Sequence, residues 1–254
     1  MTSHALEPLP YHRAVVRHLR EKEPEVWAWA SSVRVQQEHA ELLRKELLRN
    51  TYRLTGQSHP QVQQAAELAA QRLGLSLPVT LYQGADGPMN ATLIFLPGEA
   101  HVMFTGPMLE RFSQAELLAV LGHELSHYVL WTVEEGTFHA ADRILVQAAA
   151  DPGAQGCQRE TARLYSLYTE IFADRGGVLA AKDAAPVIST LVKTQTGLSS
   201  VDAAAYLEQG REIDLLEPAR SEALSHPESY LRAQAMDRWW RQEGEVDEWL
   251  RRRI

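Results

Sequence analysis

The chain has 254 residues, a formal net charge of −8 and a single cysteine, Cys157. This length can bury a full hydrophobic core, and the acidic balance disfavours binding to nucleic acids or anionic membranes. One cysteine excludes an internal disulfide. The sequence has no basic start followed by an apolar leader, and no run of roughly 18 apolar residues. We therefore expect a soluble, cytoplasmic protein without a membrane span.

The first 75 residues have a helical pattern. Leucines alternate with charged residues over 41–49, as in an amphipathic helix. Ser58-His59-Pro60 begins a further helix that ends at Gly74. We predict an N-terminal helical segment over residues 1–75 and a second domain over residues 76–254. The segment either braces that domain or covers its cleft, and the sequence leaves both possibilities open.

A small three-stranded sheet is predicted from about residue 78 to residue 105. Within it, Asn90 to Leu96 and His101 to Thr105 read as a hairpin around a Pro97-Gly98 turn. Helices are predicted over about 184–197, 200–213, 228–242 and 245–252. The predicted fold class is therefore α+β, mostly α, with N- and C-terminal helices around a small mixed sheet.

One helix carries residues that can bind a metal. Ser113-Gln114-Ala115-Glu116 has the form of a capping box, and the apolar residues that follow predict a helix from about 114 to 130. It contains His123-Glu124-Leu125-Ser126-His127. Residues four apart share one helix face, so His123 and His127 can bind one metal ion. Glu124 is then placed to take a proton from the water that such a metal activates.

A catalytic zinc usually has three protein ligands, so a third is needed. Leu130 and Val133 stand where the metzincin extension would place glycine and histidine, which excludes that class. Glu170 and Asp174 lie four residues apart in an apolar helical stretch. Glu170 would complete the ligand set. Asp174 would accept a hydrogen bond from the far nitrogen of a ligating histidine, with His123 the favoured partner.

From about Asn90 to Arg232 the chain resembles the gluzincin metallopeptidases of the HtpX and CAAX prenyl protease type, including small soluble relatives called minigluzincins. The matching segments occur in the family's order: Asn90-Ala91, His101 to Gly106, Glu116-Leu117, the His123 to His127 motif, Glu170 to Asp174, Ser225-His226-Pro227, and Arg232. The resemblance implies a zincin-like domain that contains one zinc ion per chain.

The resemblance also implies roles for individual residues. Zinc would be bound by His123, His127 and Glu170, with Glu124 as the general base. His226 would approach the oxyanion or the substrate carbonyl, Arg232 would support that side of the cleft, and Asn90 and Ala91 would bind a peptide added as a strand to the sheet edge. His226 can also be read as an ordinary residue before a helix that begins with proline.

The sequence therefore predicts a zinc-dependent endopeptidase acting on peptides or unfolded proteins. Two alternatives stay open. The protein could be a latent zymogen whose activity rises when about residues 1–75 are removed. It could also be a non-enzymatic zinc protein that binds peptides in a similar groove. The sequence does not predict an oligomeric state.

Overall fold

The computed structural model describes residues 5–216 and 220–254, without the side chains of residues 33–40. In these ranges the helices are α1 Pro10–Lys22, α2 Pro24–Ala30, α3 Val33–Asn50, α4 Pro60–Arg72, α5 Met108–Arg111, α6 Gln114–Ala150, α7 Gly156–Ala181, α8 Ala184–Thr196, α9 Ala203–Leu216, α10 Ser229–Arg241 and α11 Val246–Arg253. The strands are β1 Tyr52–Leu54, β2 Val79–Gln83, β3 Asn90–Leu96 and β4 Glu99–Thr105. The predicted class, α+β and mostly α, is confirmed.

The sheet has four strands in the order β1-β2-β4-β3, rather than the three that were predicted. The additional strand, β1, has only three residues and pairs antiparallel with Leu81 to Gln83 of β2. So short a strand has almost no sequence pattern of its own and depends on its neighbour for stability. The predicted hairpin is confirmed: β3 pairs antiparallel with β4, from Asn90 opposite Thr105 to Leu96 opposite Glu99. β3 is an edge strand.

Helix α6 is interrupted once. At its start, the Ser113 hydroxyl accepts from the Glu116 amide and the Glu116 carboxylate accepts from the Ser113 amide, so the predicted capping box is formed. Backbone angles leave the helical region from Val133 to Gly136, with positive φ at Glu134 and Glu135. This turn separates two helical halves, and the first half contains the His123 to His127 motif.

Two apolar clusters flank this first half of α6. One contains the sheet, α4 and the apolar face of α6 before the interruption. The other contains α1, α7, α10 and the second half of α6. The four C-terminal helices agree with the predicted ones within a few residues. In the described ranges, no helix combines the length and the apolar character that a membrane span requires.

The N-terminal helices pack against the helices that follow them. His12, Val15, Val16 and Leu19 of α1 are buried, and the three apolar residues among them belong to the cluster formed with α7. α4 packs against α6 and belongs to the cluster beneath the sheet. Residues 1–4 of the predicted segment lie outside the described residues. The domain boundary at residue 75 stays a prediction.

Candidate metal centre

Helices α6 and α7 cross closely at small residues. A methyl group added at Gly176 would overlap the side chain of Ser126, and one added at Gly122 would overlap Ala180. Ser126 turns its hydroxyl inward and donates to the Gly122 carbonyl. These small side chains allow the two helix backbones to approach. As a result, side chains from α6 reach side chains from α7 across a short distance.

Three side chains meet at this crossing. His123, His127 and Glu170 offer donor atoms that all lie within 4.8 Å of one another. The Nε2 atom of His123 lies 3.5 Å from Oε2 of Glu170, and the Nε2 atom of His127 lies 3.7 Å from Oε1 of the same carboxylate. Glu170 is buried, and its Oε2 atom has no hydrogen-bond partner among the described residues. The predicted triad is therefore brought together in space.

The triad has the spacing and chemistry that zinc requires. Two ligands at about 2.0–2.1 Å from a tetrahedral zinc ion are about 3.4 Å apart, close to the two distances found here. Two imidazole nitrogens and one carboxylate form a donor set that zinc accepts. The Oε2 atom of Glu170, which lacks a hydrogen bond within the described ranges, would gain a ligand bond. The residues therefore fit a zinc ion.

A second layer of charged groups supports the triad. Asp174 accepts from Nδ1 of His123 at 3.0 Å, and the His123 Nε2 atom is directed towards Glu170. The guanidinium of Arg232 donates two hydrogen bonds of 2.7 Å to Asp174, and its Nη2 atom lies 3.4 Å from Oε2 of Glu170. Arg232 therefore contacts the carboxylates behind the triad, a more defined place than the side of the cleft that was predicted for it.

The charges in this cluster shift the pKa values of its members. Burial alone would lower the pKa of His123, but the carboxylates of Asp174 and Glu170 outweigh it and raise this pKa to about 10. Burial lowers the pKa of His127 to about 4. Burial opposes the ionisation of Glu170, yet His123 and Arg232 hold its pKa below the usual range. The protonated His123 and Arg232 therefore place positive charge beside Glu170. A divalent cation bound by the triad would occupy that position.

Glu124 lies between the triad and the sheet. It is buried, and its Oε2 atom accepts a 2.7 Å hydrogen bond from the backbone amide of Leu93 in β3. Its Oε1 atom lies 4.0 Å from Nε2 of His123. Burial raises the pKa of this carboxyl group, against the opposing charge of His123. The hydrogen bond from the Leu93 amide therefore fixes one carboxylate oxygen of Glu124, and the other oxygen faces the triad.

The remaining predicted residues surround the same opening. Asn90 and Ala91, at the start of the edge strand, line a cavity of about 510 Å³ that also contains the triad. His226 is 59% exposed, and its Nε2 atom lies 3.4 Å from Oε2 of Glu170. Its Nδ1 atom pairs with the Ser225 hydroxyl. All nine predicted site residues are thus found around one cavity.

Sequence reasoning missed the residues that bring these side chains together. Gly122, Ser126, Gly176 and Ala180 form two small-xxx-small pairs, one on each helix. That spacing was a usable signal of close helix approach, but it does not identify the partner helix. The cavity walls formed by Trp131, Asp142 and the residues of α8 were also missed, since their positions depend on the tertiary fold.

Comparisons with known proteins agree with this geometry. The sequence model that describes peptidase family M48 matches residues 56–240 of the chain. The chain is also 28% identical over 191 residues to the plastoglobule-localized metallopeptidase 48, chloroplastic, of Arabidopsis thaliana. That match covers 68% of this chain and 55% of the Arabidopsis protein, so the chain spans about half of its relative's length. No solved structure matches the chain.

Proposed function

Since the chain belongs to peptidase family M48, we propose that it is a zinc-dependent endopeptidase of gluzincin type. One observation carries the proposal: His123, His127 and Glu170 converge beside Glu124 in a cavity that runs along an edge strand. We propose that these three side chains bind one zinc ion. The finer resemblance to the HtpX and CAAX prenyl protease type, and the cytoplasmic location, stay predictions.

A bound zinc ion would polarise the scissile carbonyl and lower the pKa of water towards about 7. The free oxygen of Glu124 is suited to take the proton from the attacking water and pass it to the leaving amine. The Leu93 amide keeps that carboxylate in one orientation. Asp174, held by Arg232, fixes the tautomer of His123.

The position of His226 at the exposed rim of the triad supports a role towards the substrate. Its imidazole can move, because it is exposed and its Nδ1 pairs only with the neighbouring Ser225 hydroxyl among the described groups. We propose that its Nε2 donates to the oxygen of the scissile carbonyl as negative charge develops there. Arg232, which is buried against two carboxylates, acts by positioning them.

We propose that peptides or unfolded protein segments bind along β3. The backbone of an edge strand offers unpaired amides and carbonyls to an added strand, and Asn90 and Ala91 lie where that strand would pass the triad. No residue before Asn90 lines the cavity in the described part of the chain. This favours the bracing role for the N-terminal helices over the latent zymogen.

The proposal is tested by incubating the zinc-loaded protein with a diverse peptide library and identifying cleavage products by mass spectrometry. Glu124→Gln should retain zinc and lose roughly 10²- to 10⁴-fold in cleavage rate. Glu110→Gln, at an exposed position of α5, is the matched control and should cleave like the wild type. If Glu124→Gln is as active as the wild type, Glu124 is not the base. Zinc binding without cleavage by any variant would instead favour a peptide-binding protein.

A further inference from the structure

The cavity extends from the triad in two directions along α6. Val120 lies about one turn before His123, and Trp131 lies about one turn after His127. Both line the cavity. At 1.5 Å per residue, their backbones are about 16 Å apart along the helix axis. A peptide that passes the triad therefore meets one wall before it and another beyond it.

The two walls differ in character. Near Val120 the cavity is bounded by Met108 and by one face of α8. That face carries apolar and uncharged polar side chains: Val187, Thr190, Leu191, Thr194 and Gln195. Near Trp131 it is bounded by Asp142, from the second half of α6, and by Ser166, which lies one turn before Glu170 on α7. The arm near Val120 is therefore uncharged, and the other contains a carboxyl group.

Asp142 has no hydrogen bond or ion pair with any described group. Its helical neighbour Arg143 points away, since it donates to the Ala30 carbonyl and lies over the Trp29 ring. The Ser166 hydroxyl donates to the Ser225 carbonyl. His139, which packs between Phe95 and Trp131, has a pKa lowered to about 4 by burial and is neutral near pH 7.

The lack of a cation has an energetic consequence. Burial raises the pKa of Asp142 to about 6, so ionising this carboxyl group in the cavity is costly. A cationic ligand would offset that cost, and the attraction is stronger in a partly desolvated cleft than in water. Trp131 lines the same wall, and its indole adds apolar surface against which the aliphatic stem of a lysine or arginine can pack.

We propose that Asp142 is a specificity-determining residue that binds a lysine or arginine side chain of the substrate, while the arm near Val120 takes an uncharged one. The preferred substrates are then peptides with a basic and an uncharged residue on opposite sides of the scissile bond. This inference rests on the proposed peptidase function.

The test uses zinc-loaded full-length protein and peptide pairs that differ only by lysine or norleucine at each position around the cleaved bond. One position should show faster cleavage of the lysine peptide, and Asp142→Asn should reduce that preference roughly 10-fold. Asp142→Glu should retain it. Asp86→Asn is the matched control, because Asp86 is exposed and an asparagine can still accept from the Gly87 amide. The Asp86→Asn control should cleave both peptides of each pair like the wild type, and the zinc content should be the same in all variants.

Binding separates this inference from the proposed activity. With the Glu124→Gln background, the dissociation constants of the same peptide pairs are measured with and without Asp142→Asn. A lysine preference that depends on Asp142 supports the subsite even where no variant cleaves a peptide. If the lysine-to-norleucine ratio is the same with and without the Asp142→Asn substitution, in either assay, the subsite is overturned.

Discussion

Two groups of histidines, one fully buried and one partly buried, contact neighbouring residues of α7 and differ in what their ring nitrogens bind. His12 of α1 is fully buried and pairs with Thr169, while His123 and His127 face Glu170. The Nδ1 atom of His12 accepts from the Leu9 amide, and its Nε2 donates to the Thr169 hydroxyl. Both of its nitrogens are therefore satisfied by neutral groups.

The surroundings of the two groups differ in the same way. His12 lies among the rings of Phe138, Tyr165 and Phe172, and burial lowers its pKa to about 3. His123 and His127 instead direct their Nε2 atoms towards one carboxylate at 3.5 and 3.7 Å. A buried histidine whose two nitrogens are both hydrogen-bonded, such as His12, has no nitrogen free to bind a metal. Histidines that share a carboxylate through free nitrogens can bind a metal.

The largest expected effect comes from removing that shared carboxylate. Glu170→Ala leaves the two imidazoles without a third ligand, so zinc affinity should fall by roughly 10³-fold or more. Substitution of a residue that only hydrogen-bonds to a ligand typically costs about 10- to 100-fold. Competition with a chromophoric zinc chelator measures it. Glu160→Ala, ten residues earlier on the exposed face of α7, is the control. Unchanged affinity would remove Glu170 from the ligand set.

A smaller effect is expected for Asp174, which hydrogen-bonds to the proposed ligand His123. Asp174→Asn keeps an oxygen that can accept from His123 Nδ1 but removes the charge that pairs with Arg232. Zinc affinity should fall roughly 10- to 100-fold, because the three proposed ligands, including Glu170, remain in place. The same chelator competition measures this, and Asp183→Asn at the start of α8 is a control that preserves a capping oxygen. A loss as large as that of Glu170→Ala would mean that Asp174 itself is a ligand.

The contrast between the two histidine groups also marks what the sequence could predict. The capping box at Ser113 and the spacing from His123 to His127 are local patterns, so the helix and the shared face of the two histidines were predictable. Glu170 was identified by its carboxylate in an apolar stretch. Burial of His12 and the approach of Gly122 to α7 depend on chain segments more than 50 residues away, which no local pattern specifies.

A third prediction concerns the contribution of His12 to the pH dependence of the free energy of unfolding. In the folded protein its pKa is lowered to about 3, whereas a histidine in the unfolded chain has a pKa near 6.5. Between these values only the unfolded state takes up the proton. Stability supplied by neutral His12 is therefore complete above about pH 6.5 and is lost as the pH falls, by about 1.4 kcal/mol per pH unit.

His12→Gln removes this titration but can still donate an amide hydrogen bond to Thr169. The free energy of unfolding of the wild type should therefore fall about 2 kcal/mol more than that of His12→Gln between pH 6.5 and pH 5, as measured by urea denaturation. Taking the difference between the two proteins cancels the titration of the candidate metal centre, which both retain. Parallel pH profiles would show that folding does not lower the pKa of His12, so that His12 takes up a proton in the folded protein as well. The distinction between the two histidine groups would then fail.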